Sequence, residues 1–334
     1  MAFRRTVLKK FVKYFIRRRS TWLNSIIKEA VLEQGFIPEI VRNHKYFPDW
    51  EKRGYHISEN HFYHPIPDLS LLGEDYWVKP SELKGIELNL PKQLEFLSEI
   101  NGEYALHFNC LPLYKDEIKD PWEYYIQNHN FTSIDGEVLY SMIRKFKPRK
   151  IIEAGSGFTT FLISKAIEDE KKENKEYEVI FNAIEPYPRD FLRTNIPALT
   201  SFIEKEVQNV PLEIFGSLEE NDILFIDGTH TLKFGSDVEF EFFKILPILK
   251  VGVLIHFHDI FLPLSYPKEW VYEYGWFWNE QYLLQAFLMY NNSFEIIWSG
   301  SMMHNYYPQK LSEIFRSYDL LNGNPGSFWM RKIN

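Results

Sequence analysis

The sequence predicts an α/β protein with a mostly parallel sheet and helices on both faces. Three observations carry this. From about residue 131, short Ile-, Val- and Phe-rich runs alternate with helical stretches, the spacing of βαβ units. One run passes directly into a glycine turn that opens a helix, Glu153-Ala154-Gly155-Ser156-Gly157-Phe158. Two others end in polar clusters, Asp227-Gly228-Thr229-His230 and His256-Phe257-His258-Asp259. Carboxyl ends of parallel strands are where open α/β sheets bind ligands.

Each element has a local reason. Ser133 or Asp135 caps a helix to Phe146, and Pro148 stops it. Lys150–Ala154 reads as a buried strand, Phe158–Glu168 as a helix, Val179–Ile184 as a strand and Asp190–Asn195 as a short helix. Ser201–Glu206 and Ile223–Ile226 are strands, Ser236–Leu249 a helix and Val253–Phe257 a strand. Asn279–Tyr290 is a helix, and Phe294–Trp298 and Phe328–Arg331 are closing strands. The charged run 168–178 reads as a solvated helix end and loop.

The chain divides into three segments. Residues 1–45 are basic and then helical in pattern, 46–130 form an aromatic, proline-rich cap, and 131–334 form the α/β domain. Within the cap, Phe47-Pro48, His64-Pro65, Lys79-Pro80 and Leu111-Pro112 interrupt regular structure, and a short helix fits Pro91–Ile100. Residues 1–19 contain eight Lys or Arg and no acid. With a net charge of -8 overall, the remainder carries -16. An acidic body argues against nucleic acid as a partner, because phosphate binding needs a basic face. In the head, Leu8, Phe11, Val12 and Phe15 recur at helical spacing, too briefly to span a bilayer. Two readings stand for it: an interfacial helix on an anionic membrane, or a solvated helix packed on its own domain. A lone cysteine, Cys110, makes no internal bridge, so a reducing, cytoplasmic setting is expected, with peripheral inner-membrane attachment if the head docks there.

The glycine turn lets backbone approach a ligand closely and points helix N–H groups at it. The dinucleotide fingerprint wants a third glycine, and Thr160 stands there. The next strand ends at Ile184-Glu185-Pro186, an acid placed to accept from a ribose diol. At Glu153–Gly157, Glu185 and Ile223–His230, over about residues 131–334, the sequence resembles class I S-adenosylmethionine-dependent methyltransferases. The segment 61–68 is similar to an upstream element of a bacterial branch linked with sugar and specialised-metabolite modification. The resemblance implies a Rossmann-like sheet of seven strands with an antiparallel last strand. It implies S-adenosylmethionine as cofactor, with Glu153, Gly155, Ser156 and Gly157 near its methionine part, Glu185 on its ribose and Asp227 nearby.

At the polar ends, Asp227, His230, His258 and Asp259 are expected to converge. Three readings compete. Asp227, Asp259 and His258 hold a divalent cation such as Mg2+ that acidifies a hydroxyl. Alternatively His230 or His258 is a general base beside Asp259. Or the histidines are structural. The long aromatic loop 261–278 reads as a lid, with Tyr266 and Trp270 over the acceptor, and His61, Tyr63 and His64 approach from the cap. The function expected is methyl transfer to a hydroxyl of a small-molecule or glycan acceptor. The rivals are an NAD-dependent oxidoreductase, which the missing third glycine disfavours, and a non-catalytic nucleotide-binding module at a membrane assembly.

Overall fold

The computed structural model describes residues 47–52, 54, 56, 58, 60–193, 195–319 and 323–334. The basic segment 1–19 and the helical pattern of 20–45 lie outside the described residues. Contacts divide the chain into two units, Met1–Gly73 and Glu74–Asn334. The described part of the first holds a short helix, Phe47–Glu51, and a 3-10 turn, Leu69–Leu71, capped by Asp68.

The second unit is organised by a seven-stranded sheet: β1 (Lys150–Ala154), β2 (Ile180–Ile184), β3 (Ser201–Ile203), β4 (Ile223–Ile226), β5 (Leu254–Phe257), β6 (Phe294–Ser299) and β7 (Phe328–Lys332). Their order is β3-β2-β1-β4-β5-β7-β6. The first five pair in parallel, and β7 runs antiparallel to both β5 and β6. This is the Rossmann-like methyltransferase sheet the resemblance implied. Its central strands are largely apolar because both faces are covered, and β4 is apolar throughout. Ile151, Phe181, Phe225 and Trp329 face one core, with α1 (Leu90–Phe108), α2 (Asp135–Phe146) and α3 (Phe158–Glu173). Ile152, Ile184, Ile226 and Phe257 face the other, with the broken helix Asp237–Ile248 and α4 (Glu280–Leu288). The two sets alternate along each strand, as a pleat requires.

Several boundaries differ from expectation. The short helix at Pro91 extends over 19 residues, because Pro91 sits in the first turn, where proline is tolerated, and the core-facing positions recur to Phe108. Helix α3 runs into the charged stretch, where Glu170 and Glu173 pair with buried Arg144 of α2 at 2.9 and 2.6 Å. The helix expected over Ser236–Leu249 is split by a π turn at Glu241–Ile245. The strand expected over Ser201–Glu206 shortens to three residues. Two helices between β6 and β7, α5 (Gly300–Tyr306) and α6 (Pro308–Ile314), were not anticipated. The free edge of β6 is blunted by α1, whose Gln93 accepts from Ser299 N at 2.8 Å. Among the described residues, no helix is long and apolar enough to cross a membrane.

Candidate active site

The sheet register builds the site. Ala154 of β1 lies opposite Ile184 of β2 and Ile226 of β4, and Ile226 lies opposite Phe257 of β5. The next residues, Gly155, Glu185, Asp227 and His258, therefore leave the carboxyl edge side by side. Main-chain bonds carry the alignment past the strands: Gly155 N donates to Ile184 O at 2.9 Å, Asp227 N to Ala154 O at 2.8 Å and His258 N to Ile226 O at 3.0 Å.

On the β1 side the turn is set by backbone. Gly155 has φ +88°, and a Cβ there would overlap the carbonyl of Asp227, so glycine is required. Gly157 is extended, and a Cβ there would meet nothing within 4 Å. Glu153 departs from expectation. It does not line the cavity; it is fully buried, accepting from Thr159 Oγ1 at 2.5 Å and Thr160 Oγ1 at 2.7 Å. Thr160 Oγ1 also accepts from Gly157 N at 3.1 Å. The residue standing in for a third glycine thus ties the turn to the strand. Burial pushes the Glu153 carboxyl up to about 8, against the two threonine bonds. Glu185 bridges the first two turns, accepting from Tyr187 N at 2.8 Å and Ser156 N at 3.4 Å.

On the β4–β5 side the facing groups are ionisable. His230 Nε2 lies 3.4 Å from Asp227 Oδ1 and 3.5 Å from Asp259 Oδ2, and its Nδ1 is 2.9 Å from Glu280 Oε2. His258 repeats the pattern: Nδ1 lies 3.4 Å from Asp227 and 3.7 Å from Asp259, while Nε2 is 3.6 Å from Asp135. The four residues expected to converge do so, and two buried acids, Glu280 and Asp135, stand behind the imidazoles. Asp135 also accepts from Gly326 N at 2.8 Å and Ser327 N at 3.0 Å, pinning the loop that enters β7. Three residues around the cluster have positive φ, Ile134 (70°), His230 (56°) and Asp259 (55°). Strain of that kind gathers at functional sites. His256 takes no part. It is buried, stacks on Phe225 with ring centres 4.0 Å apart, and bonds Ser327 Oγ at 2.9 Å.

Two cavities of about 500 Å³ each meet at Gly155, Glu185, Tyr187 and Asp227. One continues past His258 and Asp259 to Trp270, Trp276 and Trp278. The other continues past Gln208, Gly228 and Thr229. Trp276 and Trp278 stack at 4.9 Å and 5°, with Trp270 edge-on at 5.1 Å to Trp278. Tyr266 lies behind this wall and outside the cavity, its hydroxyl accepting from Gln281 N at 3.1 Å. His61, Tyr63 and His64 belong to the first unit, where they are exposed and their rings group together.

Residues 152–260, which span both ligand-facing ends, match a family described as a methyltransferase domain. A protein of Archaeoglobus fulgidus, itself described as uncharacterized, is 34% identical over 171 residues, covering 49% of this chain and 74% of that protein. The chain belongs to the class I S-adenosylmethionine-dependent methyltransferases. Similar solved structures include the apo form of CmcI-N160, at 14% identity and TM-score 0.34 over 60% of this chain and 71% of that one. Another is the plantazolicin methyltransferase BamL, solved with a triazolic desmethylPZN analog and SAH. It is 14% identical with TM-score 0.38 over 74% of this chain and all of BamL.

In this methyltransferase the polar edge is strongly polarised. Burial alone would lower both site histidines, but acids outweigh it: Asp227 and Glu280 raise His230, and Asp259, Asp227 and Asp135 raise His258 well above the ordinary value. Burial acts to raise Asp227, yet the two imidazoles hold it below the usual carboxylate range. Asp259 and Glu280 are pushed up by burial. Among the described residues, Asp227, His230 and Asp259 bring three ligand atoms within 4.8 Å of one another, so His230 joins the pair where His258 was expected. Sequence reasoning missed Asp135 and Glu280 as site residues, and also His129–Phe131, which line the cavity. Their only signal is placement at helix starts and in a turn, which many surface residues share.

Proposed function

We propose that the methyltransferase alkylates a hydroxyl of a small polar acceptor, a sugar, glycan or specialised metabolite, in the cavity between the glycine turn and the tryptophan wall. The observation that carries this is the single cavity in which Gly155–Gly157 and Glu185 face Asp227, His258 and Asp259. S-adenosylmethionine supplies the methyl group on a sulfonium centre. The turn gives it backbone N–H groups, and Glu185, already at the junction of the two cavities, accepts from its ribose hydroxyls. The adenine side falls toward Gln208 and Thr229.

The donor set of two carboxylates and an imidazole fits a divalent cation, with Asp227, Asp259 and His230 as the residues to hold it. Such an ion supplies Lewis acidity to a bound hydroxyl. His258, which lines the cavity whereas His230 does not, is then the proton acceptor: its acid neighbours favour the imidazolium, and a cation held by Asp227 and Asp259 would offset their charge and free the ring to take a proton. The tryptophans exclude water and offer flat faces to a ring. Holding the two reactants in line accounts for much of the rate.

Calorimetry on the full chain with S-adenosylhomocysteine against NAD tests the donor. Binding of the first alone is expected, and binding of NAD alone would defeat the reading. Methyl transfer to a panel of sugars, amino sugars and aminophenols, with the methylated atom located by fragmentation mass spectrometry, tests the acceptor class; products methylated only on nitrogen would overturn it. The charge pattern of residues 1–19 supports docking on anionic lipid, at ~1 kcal/mol per basic residue. Vesicle sedimentation of the intact chain that survives deletion of 1–19 would remove that role.

A further inference from the structure

The arrangement around His230 specifies more than a divalent charge. The imidazole is fixed from every side. Glu280, 1% exposed at the start of α4, takes Nδ1 at 2.9 Å. Trp278 covers the ring with centres 4.3 Å apart. The His230 carbonyl accepts from Asn279 N at 3.1 Å and Glu280 N at 3.2 Å, which locks the β4 loop to the helix. The left-handed backbone at His230 is held by these contacts and turns Nε2 toward Asp227 and Asp259.

The distances to those carboxylates decide between two uses of the nitrogen. At 3.4 and 3.5 Å they exceed the 2.7–3.2 Å of a formed N–H···O bond, about which the ring is otherwise well placed. They match the spacing of ligands that share one ion with bonds of ~2.1 Å. The carboxylates are also the exposed members of the set, at 27% for Asp227 and 16% for Asp259 against 5% for His230. The set is thus open toward the acceptor cavity and closed behind the imidazole.

We infer that His230 is a metal ligand backed by Glu280, and that the site selects a borderline transition ion, such as Mn2+, Fe2+, Co2+ or Zn2+, over Mg2+. This rests on the reading of the edge as a cation-assisted methyl-transfer site. Mg2+ favours oxygen donors and keeps its waters, so an imposed imidazole works against it. A buried carboxylate on the far nitrogen of an imidazole fixes its tautomer and raises its basicity, the arrangement that accompanies histidine ligands of transition ions. An all-oxygen site would gain nothing from Glu280.

The test is a titration of metal-free full-length protein with Co2+ and, separately, Mg2+. It is read by calorimetry and by the visible absorption of Co2+. Co2+ is expected to bind at least ~100-fold more tightly than Mg2+. His230→Ala and the bulkier His230→Gln should each shift the Co2+ band and remove most of that preference, with Mg2+ little changed. Glu280→Gln, at the positioning residue, should weaken Co2+ by ~10–100-fold. Equal affinity for the two ions, or no binding of either, overturns the inference on the wild-type chain alone. So does an unaltered Co2+ band in His230 variants that still bind S-adenosylhomocysteine. Loss of S-adenosylhomocysteine binding in the wild type would instead defeat the methyl-transfer reading and leave the ion preference standing.

Discussion

At the β1–β2 end the cavity is lined mostly by main chain, the Gly155 turn and the N–H groups opening α3, with the Glu185 carboxylate held by Tyr187 N and Ser156 N. At the β4–β5 end it is lined by two carboxylates and the His258 imidazole, with His230 and two further acids behind them. Acid occurs at both ends, but the ends treat it differently. Glu153 is enclosed by hydroxyls and serves the turn, while Asp227 and Asp259 stay partly open. On the proposed function, one end would recognise the cofactor by shape and the other would do chemistry by charge. Losses at the charged end should appear in rate, and losses at the backbone end in binding or folding.

The largest effect is expected at the charged end. Asp259→Ala should lower kcat/KM by ~10³-fold, the size of a lost charge-stabilising group, and leave S-adenosylhomocysteine affinity within a fewfold. Steady-state kinetics beside calorimetry checks this. Full activity that ignores chelators would break the comparison, because the acids would then be scaffolding. Next comes Gly155→Ala. A Cβ at φ +88° overlaps the Asp227 carbonyl, so donor binding should vanish and the melting temperature should fall. A variant that melts and binds as the wild type does would show that the turn is not held as described.

The legibility of the two ends differed for the same physical reason. Strand β4, Ile223–Ile226, was readable to the residue because a parallel strand buried on both faces is continuously apolar. Gly155 and the polar strand ends were readable because turn chemistry and charge stand out against such runs. Asp135 and Glu280 were not. Each begins a helix, where acids are common for the macrodipole alone, and only the fold brings them behind His258 and His230. Glu153 carried an acid in a suggestive place, but its threonine partners lie a helical turn ahead and claim it first. His256 and His258 share a strand face, yet the strand ends between them at Phe257, so His256 remains in the core while His258 reaches the cavity.

A smaller effect separates the two kinds of acid by pH. Glu153 keeps its proton in the folded chain to about 8, against 4.5 in the unfolded chain. Between those values the folded state binds the extra proton, so stability falls as pH rises through the window. Glu153→Gln, which mimics the neutral acid, should flatten that decline in urea unfolding compared at pH 5 and pH 8. Some slope should remain from Glu137, which burial raises to about 7. An unchanged slope in the variant would mean that Glu153 is ionised in its pocket.

The smallest expected effect lies within the backbone end itself. Gly157 is extended, and a methyl group there meets no protein atom within 4 Å, although the residue lines the cavity. Gly157→Ala should therefore unfold within ~0.5 kcal/mol of the wild type, as ordinary surface changes do. If the glycine instead serves the close approach of the methionine part of the donor, the added methyl occupies ligand space. Affinity for S-adenosylhomocysteine should then drop by about tenfold, or ~1.4 kcal/mol. Melting and calorimetry on one preparation separate the two quantities. A loss of stability without a loss of affinity would assign Gly157 to the fold; the reverse would divide the turn between one glycine required by the protein and one required by its ligand.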